Sequence, residues 1–252
     1  MSKHKVRRPV KKTKKISHPT GKERTAVDPA RRRGSLLLPV TLVAILVAFV
    51  LLAVLVKTLP PFPIDLGITQ LLQTIRFPLL AEFMYVISWP GFGPQAGIIT
   101  AFGLLTLYSL GLRWEATTAL IAALLSELID ILVKDVIQRP RPPAALVAVV
   151  GTPDGYSFPS GHVMFYLGFF GFLWFLSFTL LKPSHLRGVL LVLFGGLIIL
   201  IGPSRIYEGQ HWASDVLGAY LLGSLTLVAI IHFYHWGTNH FFVDRSLTKA
   251  SS

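Results

Sequence analysis

The sequence predicts an all-α polytopic membrane protein: a bundle of six transmembrane helices, with a short interfacial helix between the first two. Three observations carry this prediction. Hydrophobic residues make up 52% of the chain and charged residues 14%, too apolar a balance for a domain whose whole surface meets water. Charge is segregated, since thirteen of the 24 lysines and arginines fall in residues 1–33, opposed there by Glu23 and Asp28 alone. The high isoelectric point therefore describes one tail and says little about the body. Uncharged stretches of membrane-spanning length then recur along the chain, separated by short polar loops.

Residues 1–34 run through Lys3, Lys5, Arg7, Arg8, Lys11, Lys12, Lys14 and Lys15 to Arg31-Arg32-Arg33, with almost no large apolar side chains. This basic tail is expected to be disordered. Leu36–Val56 follows as 21 uncharged residues, about 31 Å of helix against a hydrocarbon core of about 30 Å. The run is too long for a cleavable signal peptide and no small-residue cleavage site follows it, so it is expected to remain attached. Residues 60–78 interrupt the hydrophobicity with Pro60, Pro61, Pro63, Asp65 and Arg76, while Leu66, Leu71, Leu72 and Ile75 still make one apolar face; an interfacial helix fits there. Trp89-Pro90-Gly91-Phe92-Gly93-Pro94 breaks the next apolar stretch, so the second span is predicted from Gln95 to about Gly111. The remaining spans are predicted at Glu115–Lys134, His162–Leu181, Gly188–Pro203 and Trp212–Trp236, with a short tail at 244–252.

Lysine and arginine outside the spans set the orientation. With the basic tail cytoplasmic, Arg113, Lys182, Arg187, Arg245 and Lys249 all fall on the cytoplasmic side too, as the positive-inside rule requires. The 135–161 and 204–211 loops then face the other way. Both termini are expected in the cytoplasm, and any site built from those loops lies at the extracytoplasmic face.

Those loops hold the unusual chemistry. Lys134, Arg141 and Arg205 supply three positive charges, and arginine adds a planar fork matched to phosphate oxygens. Pro159-Ser160-Gly161 opens a helix whose first amides favour an anion. A phosphate is the ligand these groups share. Cysteine is absent, which excludes disulfides, thiolate nucleophiles and Cys-ligated metals, and no carboxylate cluster suggests a metal site. Neutralisation of the transition state is thus assigned to cations and amides, without metal or cofactor. If residues 211–215 form the first turn of the last span, His211 and Asp215 stand at i and i+4, where the carboxylate can hold one ring N–H. The other ring nitrogen is then free to attack phosphorus, while His162 can protonate the leaving oxygen and later deprotonate water.

Taken together, Lys134-x6-Arg141-Pro142, Pro159-Ser160-Gly161-His162 and Ser204-Arg205-x5-His211-x3-Asp215 fill every position of a three-part pattern. The pattern resembles the signature of the type 2 phosphatidic acid phosphatase superfamily, which also includes vanadium-dependent haloperoxidases. The resemblance implies His211 as nucleophile, His162 as acid and base and Asp215 as orienter, with Lys134, Arg141, Ser160, Gly161 and Arg205 as phosphate ligands. It further implies a membrane lipid substrate: phosphatidic acid, phosphatidylglycerophosphate or a polyprenyl diphosphate such as undecaprenyl diphosphate.

Two other readings stay open on the residues alone. The same site could pass its phosphoryl group to a lipid acceptor instead of water. A transporter or flippase of anionic lipids could use Glu127 and Asp130, carboxylates within a predicted span, for coupling; a structural pairing of Asp130 with Lys134 is the plainer account of them. Arg139 and Glu208 stand beside the motifs without an assigned role. The basic tail is expected to meet anionic lipid headgroups of the bilayer, not nucleic acid, because it directly precedes a span.

Overall fold

The computed structural model describes residues 29–241, and every regular element among them is helical. The basic tail up to residue 28, with its expected lipid contacts, and the tail from residue 242 lie outside the described residues. Two compact units divide the chain, Met1–Pro39 and Val40–Ser252, and the bundle and its site belong to the second.

Helix α1 (Pro29–Thr58) begins before the expected end of the tail. Its apolar part, Leu37–Thr58, is only 11% buried, so most of its surface is left for lipid. A narrow seam of Phe49, Ala53 and Val56 packs against Phe158. Helices α2 (Pro63–Thr74) and α3 (Pro78–Ser88) each start on a proline, which fits the first helical turn because its missing N–H has no partner to lose. A 3₁₀ turn at Trp89–Gly91 then leads into α4 (Gly93–Ser109).

Helix α5 (Arg113–Ile137) buries a stripe of small residues, Ala116, Ala119, Ala122, Ala123 and Ser126, that lets its neighbours approach closely. Gln138 ends it in the left-handed conformation at φ 56°, returning its N–H to the Lys134 carbonyl, and Pro140 follows. The next span is continuous from Gly161 to Leu180 but changes winding: α6 (Gly161–Phe165), a π segment (Tyr166–Phe170), then α7 (Gly171–Leu180). It is the bundle's centre, 67% buried, with Tyr166, Phe169 and Phe172 fully enclosed. Helices α8 (His185–Tyr207) and α9 (Ala213–Phe241) complete the bundle.

Among the described residues, five helices are long and apolar enough to cross a membrane: the apolar part of α1, α5, the Gly161–Leu180 span, α8 and α9. The expected second span is α4, whose 17 residues reach about 26 Å, just short of a full crossing. The sequence assigns no element to residues 78–88. They form a separate helix, α3, packed against α8, and Ser88 and Ser204 share a buried hydroxyl hydrogen bond there. Helix α2, expected to lie in the interface, packs against α8 and α9 with Asp65 and Thr69 buried. Gln73 clasps the 145–150 loop, donating to the Ala148 and Tyr207 carbonyls at 2.7 and 2.9 Å and accepting from the Ala148 N–H at 3.0 Å.

Candidate active site

Lys134, Arg141, Gly161, His162, Arg205 and His211, from five places along the chain, line one cavity of about 480 Å³. The C-terminal end of α5 delivers Lys134, the loop after it Arg141, the start of α6 Gly161 and His162, and the end of α8 Arg205. His211 lies in the turn before α9, two residues ahead of the helix, so it does not share a helical face with Asp215 as expected.

That displacement changes how the imidazole is held. His211 is 2% exposed, and its Nδ1 sits 2.8 Å from the Ser157 carbonyl oxygen. A carbonyl only accepts, so Nδ1 carries the proton and Nε2 keeps its lone pair. Nε2 in turn lies 3.3 Å from Arg141 Nη1, facing the cavity. The Asp215 carboxylate comes no closer than 3.7 Å to Nδ1, too far for a hydrogen bond. The hydrogen bond to Nδ1 comes from the Ser157 carbonyl, and Asp215 accepts the Trp212 N–H at 2.8 Å and an arginine.

That arginine is Arg139, whose role the sequence left open. Its Nη1 meets Asp215 at 2.5 Å and Ser214 Oγ at 2.7 Å, and its Nη2 meets Asp65 at 2.8 Å. Asp65 also accepts from the Ser214 N–H at 2.8 Å and its hydroxyl at 2.6 Å. All three charged side chains are almost fully buried. The network ties α2 to the start of α9 and fixes the turn that presents His211. Sequence reading passed over Asp65, although a carboxylate among apolar residues signals a paired role.

Each cation is held in place. Lys134 pairs with Asp130 at 2.6 Å. Arg205 pairs with Glu208 at 2.5 Å and with Gln210, which explains the extra carboxylate beside the motif. Burial pushes the Glu208 carboxyl up from its ordinary pKa, against the pull of Arg205 and a Ser88 hydrogen bond. Arg141 is fixed by carbonyls: Gln210 at 2.9 Å, Asp154 at 2.9 and 3.1 Å, and Gly155 at 3.2 Å. Burial lowers its pKa, opposed by the charges of Asp215, Asp130 and Asp154, yet a guanidinium stays charged. Ser204, counted with the third motif, serves packing, donating to the Met84 carbonyl at 2.9 Å.

His162 stands across the cavity, its ring edge-on to Phe92 at 5.0 Å. Gly91 in the 3₁₀ turn lies flat against it, and a Cβ there would come within 2.9 Å of the ring Cγ. The Trp-Pro-Gly break read as an interruption thus makes the wall that sets the imidazole. His162 Nε2, Ser160 Oγ, Arg205 Nε and Gln95 Oε1 are buried polar atoms without a hydrogen-bond partner in the structure. His162, Arg205 and Gln95 line the cavity, where a phosphate offers acceptors to the donors, whereas Ser160 is fully buried and is not among the lining residues.

Burial, then the charges of Arg141, Arg205 and Lys134, hold the His211 pKa well below 6.5, outweighing the Ser157 hydrogen bond. The shift favours the neutral imidazole at neutral pH. In a ¹³C NMR titration of the ligand-free protein in detergent, the His211 ring is expected to protonate only below pH 6.5; a midpoint at or above that value would contradict this electrostatic reading.

A cavity walled by membrane helices and lined with fixed positive charge defines a class, integral membrane proteins that handle a phosphate group on an amphiphile. The comparisons give the family. The sequence model of the PAP2 superfamily matches residues 115–239. Phosphatidylglycerophosphatase B of Bacillus subtilis (strain 168) is 28% identical over 196 residues, covering 76% of this chain and 93% of that protein. Among solved structures, the transmembrane PAP2 type phosphatidylglycerolphosphate phosphatase from Bacillus subtilis aligns with a TM-score of 0.67 at 26% identity, over 76% of this chain and 94% of that one. Aquifex aeolicus LpxE shares the fold at a TM-score of 0.55 and 24% identity, over 68% and 96% of the two chains. Residues 115–239 thus match the PAP2 superfamily, and the similarity to its phosphatases supports a lipid phosphatase.

Proposed function

We propose that this protein hydrolyses a phosphate ester on a membrane lipid, without a metal, through a phosphohistidine formed on His211 at the extracytoplasmic face. The observation that carries the reading is the tautomer. Nδ1–H is committed to the Ser157 carbonyl, and Nε2 faces the cavity that His162 and three cations share.

The lipid phosphate binds among Lys134, Arg141, Arg205 and the first amides of α6, which also stabilise the charge of the transition state. His211 Nε2 forms a bond to phosphorus as the bond from phosphorus to the leaving oxygen breaks, and the departing pair is taken by a proton from His162. Water then attacks the phosphohistidine, gives its proton to His162, and the P–N bond breaks to release orthophosphate. Asp215 acts at one remove, holding the His211 turn through Trp212 and Arg139.

The fall of lysine and arginine along the chain supports cytoplasmic termini, and α4, uncharged throughout, serves as the sixth crossing once its flanking turns are included. Phosphatidic acid, phosphatidylglycerophosphate and a polyprenyl diphosphate all present the required group. Purified protein in detergent is expected to release orthophosphate from phosphatidic acid at an undiminished rate in excess chelator. A rate that disappears with chelator and returns with added metal would overturn the metal-free scheme.

A further inference from the structure

A second cavity, of about 580 Å³, meets the first at the phosphate cradle. It runs between α4 and α5 as far as Leu104 and Leu120, deep in the apolar part of both helices, and shares Lys134, Gly161 and His162 with the first cavity. A lipid whose terminal phosphate sits against His211 therefore lays the atoms next to that phosphate past His162 and into this groove.

The charge of the groove's mouth is opposite to that of the cradle. Two carboxylates line it, Glu127 and Asp130, and its one cation among the described residues, Lys134, is already paired with Asp130 at 2.6 Å. Asp130 is 2% exposed, and its other oxygen, Oδ1, is buried with no hydrogen-bond partner in the structure. The pair presses on the helix start itself: a Cβ at Gly161 would lie 2.8 Å from Asp130 Oδ2 and 3.2 Å from Lys134 Nζ. A carboxylate thus stands where the lipid side of the substrate must pass.

We propose that Asp130, reinforced by Glu127, is a charge filter that selects lipids whose phosphate is joined to the chain through an uncharged group, so that monophosphates are favoured over diphosphates. The inference rests on the lipid-phosphatase reading and narrows its substrate class. In a monophosphate, the bridging atoms are an alcohol oxygen and carbon, which Asp130 tolerates, and a hydroxyl near them could donate to Oδ1. In a diphosphate whose terminal phosphorus is attacked by His211, the breaking bond is the P–O bond to the bridging oxygen, and the second phosphate lies in the groove. Its negative charge faces two carboxylates across a medium of low polarity, with Lys134 already engaged.

The test keeps the chain constant and varies only the headgroup. Initial orthophosphate release is measured from farnesyl monophosphate and farnesyl diphosphate with the purified full chain in detergent. The wild type is expected to show the higher kcat/KM on the monophosphate. Asp130→Asn should move the ratio of the two kcat/KM values about tenfold towards the diphosphate, since removing one nearby charge relieves the repulsion and frees Lys134. Glu127→Gln, which leaves the Lys134 pair intact, should shift it the same way by a smaller factor. A wild type that prefers the diphosphate, or ratios in both variants within twofold of wild type, would overturn the filter while leaving the hydrolase reading in place. Release from neither lipid would overturn the hydrolase reading and the filter with it.

Discussion

His211→Ala is expected to lower turnover of a lipid phosphate by more than about a thousandfold, because in the proposed mechanism it removes the atom that bonds phosphorus and leaves only the binding and charge stabilisation of the cavity. Asp215→Asn is expected to cost much less, about ten- to a hundredfold. The distinction is geometric. The proton on Nδ1 is held by the Ser157 carbonyl at 2.8 Å, a backbone group that substitution at Asp215 leaves in place, whereas the Asp215 carboxylate stands 3.7 Å away. Asp215→Asn weakens the Arg139 pair and the field around the imidazole, but the nucleophile keeps its tautomer. Single-turnover measurements with both variants check this, and equal losses would return Asp215 to the direct orienting role that the sequence suggested.

Arg139→Leu is expected to destabilise the protein by about 3–5 kcal/mol, since it strands two buried carboxylates, Asp65 and Asp215, that a single guanidinium now neutralises. Asp65→Asn should cost less, because Arg139 keeps its 2.5 Å contact with Asp215 and the asparagine can still accept from Ser214. Equilibrium denaturation in detergent micelles reads both. An Arg139→Leu variant as stable as wild type would show that the network contributes nothing to the fold. Charge at this position does not touch the substrate cavity, so any loss of activity in a still-folded variant reports displacement of the His211 turn.

The elements that the sequence conveyed best are the ones whose environment is set locally. A run such as Leu37–Thr58 is helical and membrane-seeking because lipid leaves its backbone groups no other partners, and this can be read without knowing its neighbours. The motif residues were legible for a related reason: phosphate chemistry needs particular side chains at particular spacings, and these stood out against an almost uncharged background. Helix α3 was not legible. Its 11 residues are too short to span a bilayer, and it exists because α8 offers a face that accepts it. The break at Trp89–Gly91 read as a loop for the same reason, since nothing local says that Gly91 backs the His162 ring.

By itself, then, the sequence determined an all-helical membrane protein and pointed to a candidate set of histidines and cations for a phosphate, because hydropathy and side-chain chemistry belong to single residues and short segments. Only the tertiary structure decided which groups act on which. It gave the His211 tautomer to a carbonyl from a distant loop, bound Asp215 and Asp65 to Arg139, and set Asp130 in the wall of the cavity between α4 and α5. Hydrogen bonds and ion pairs act over a few ångströms between residues up to 149 positions apart, and that proximity is a property of the packed chain.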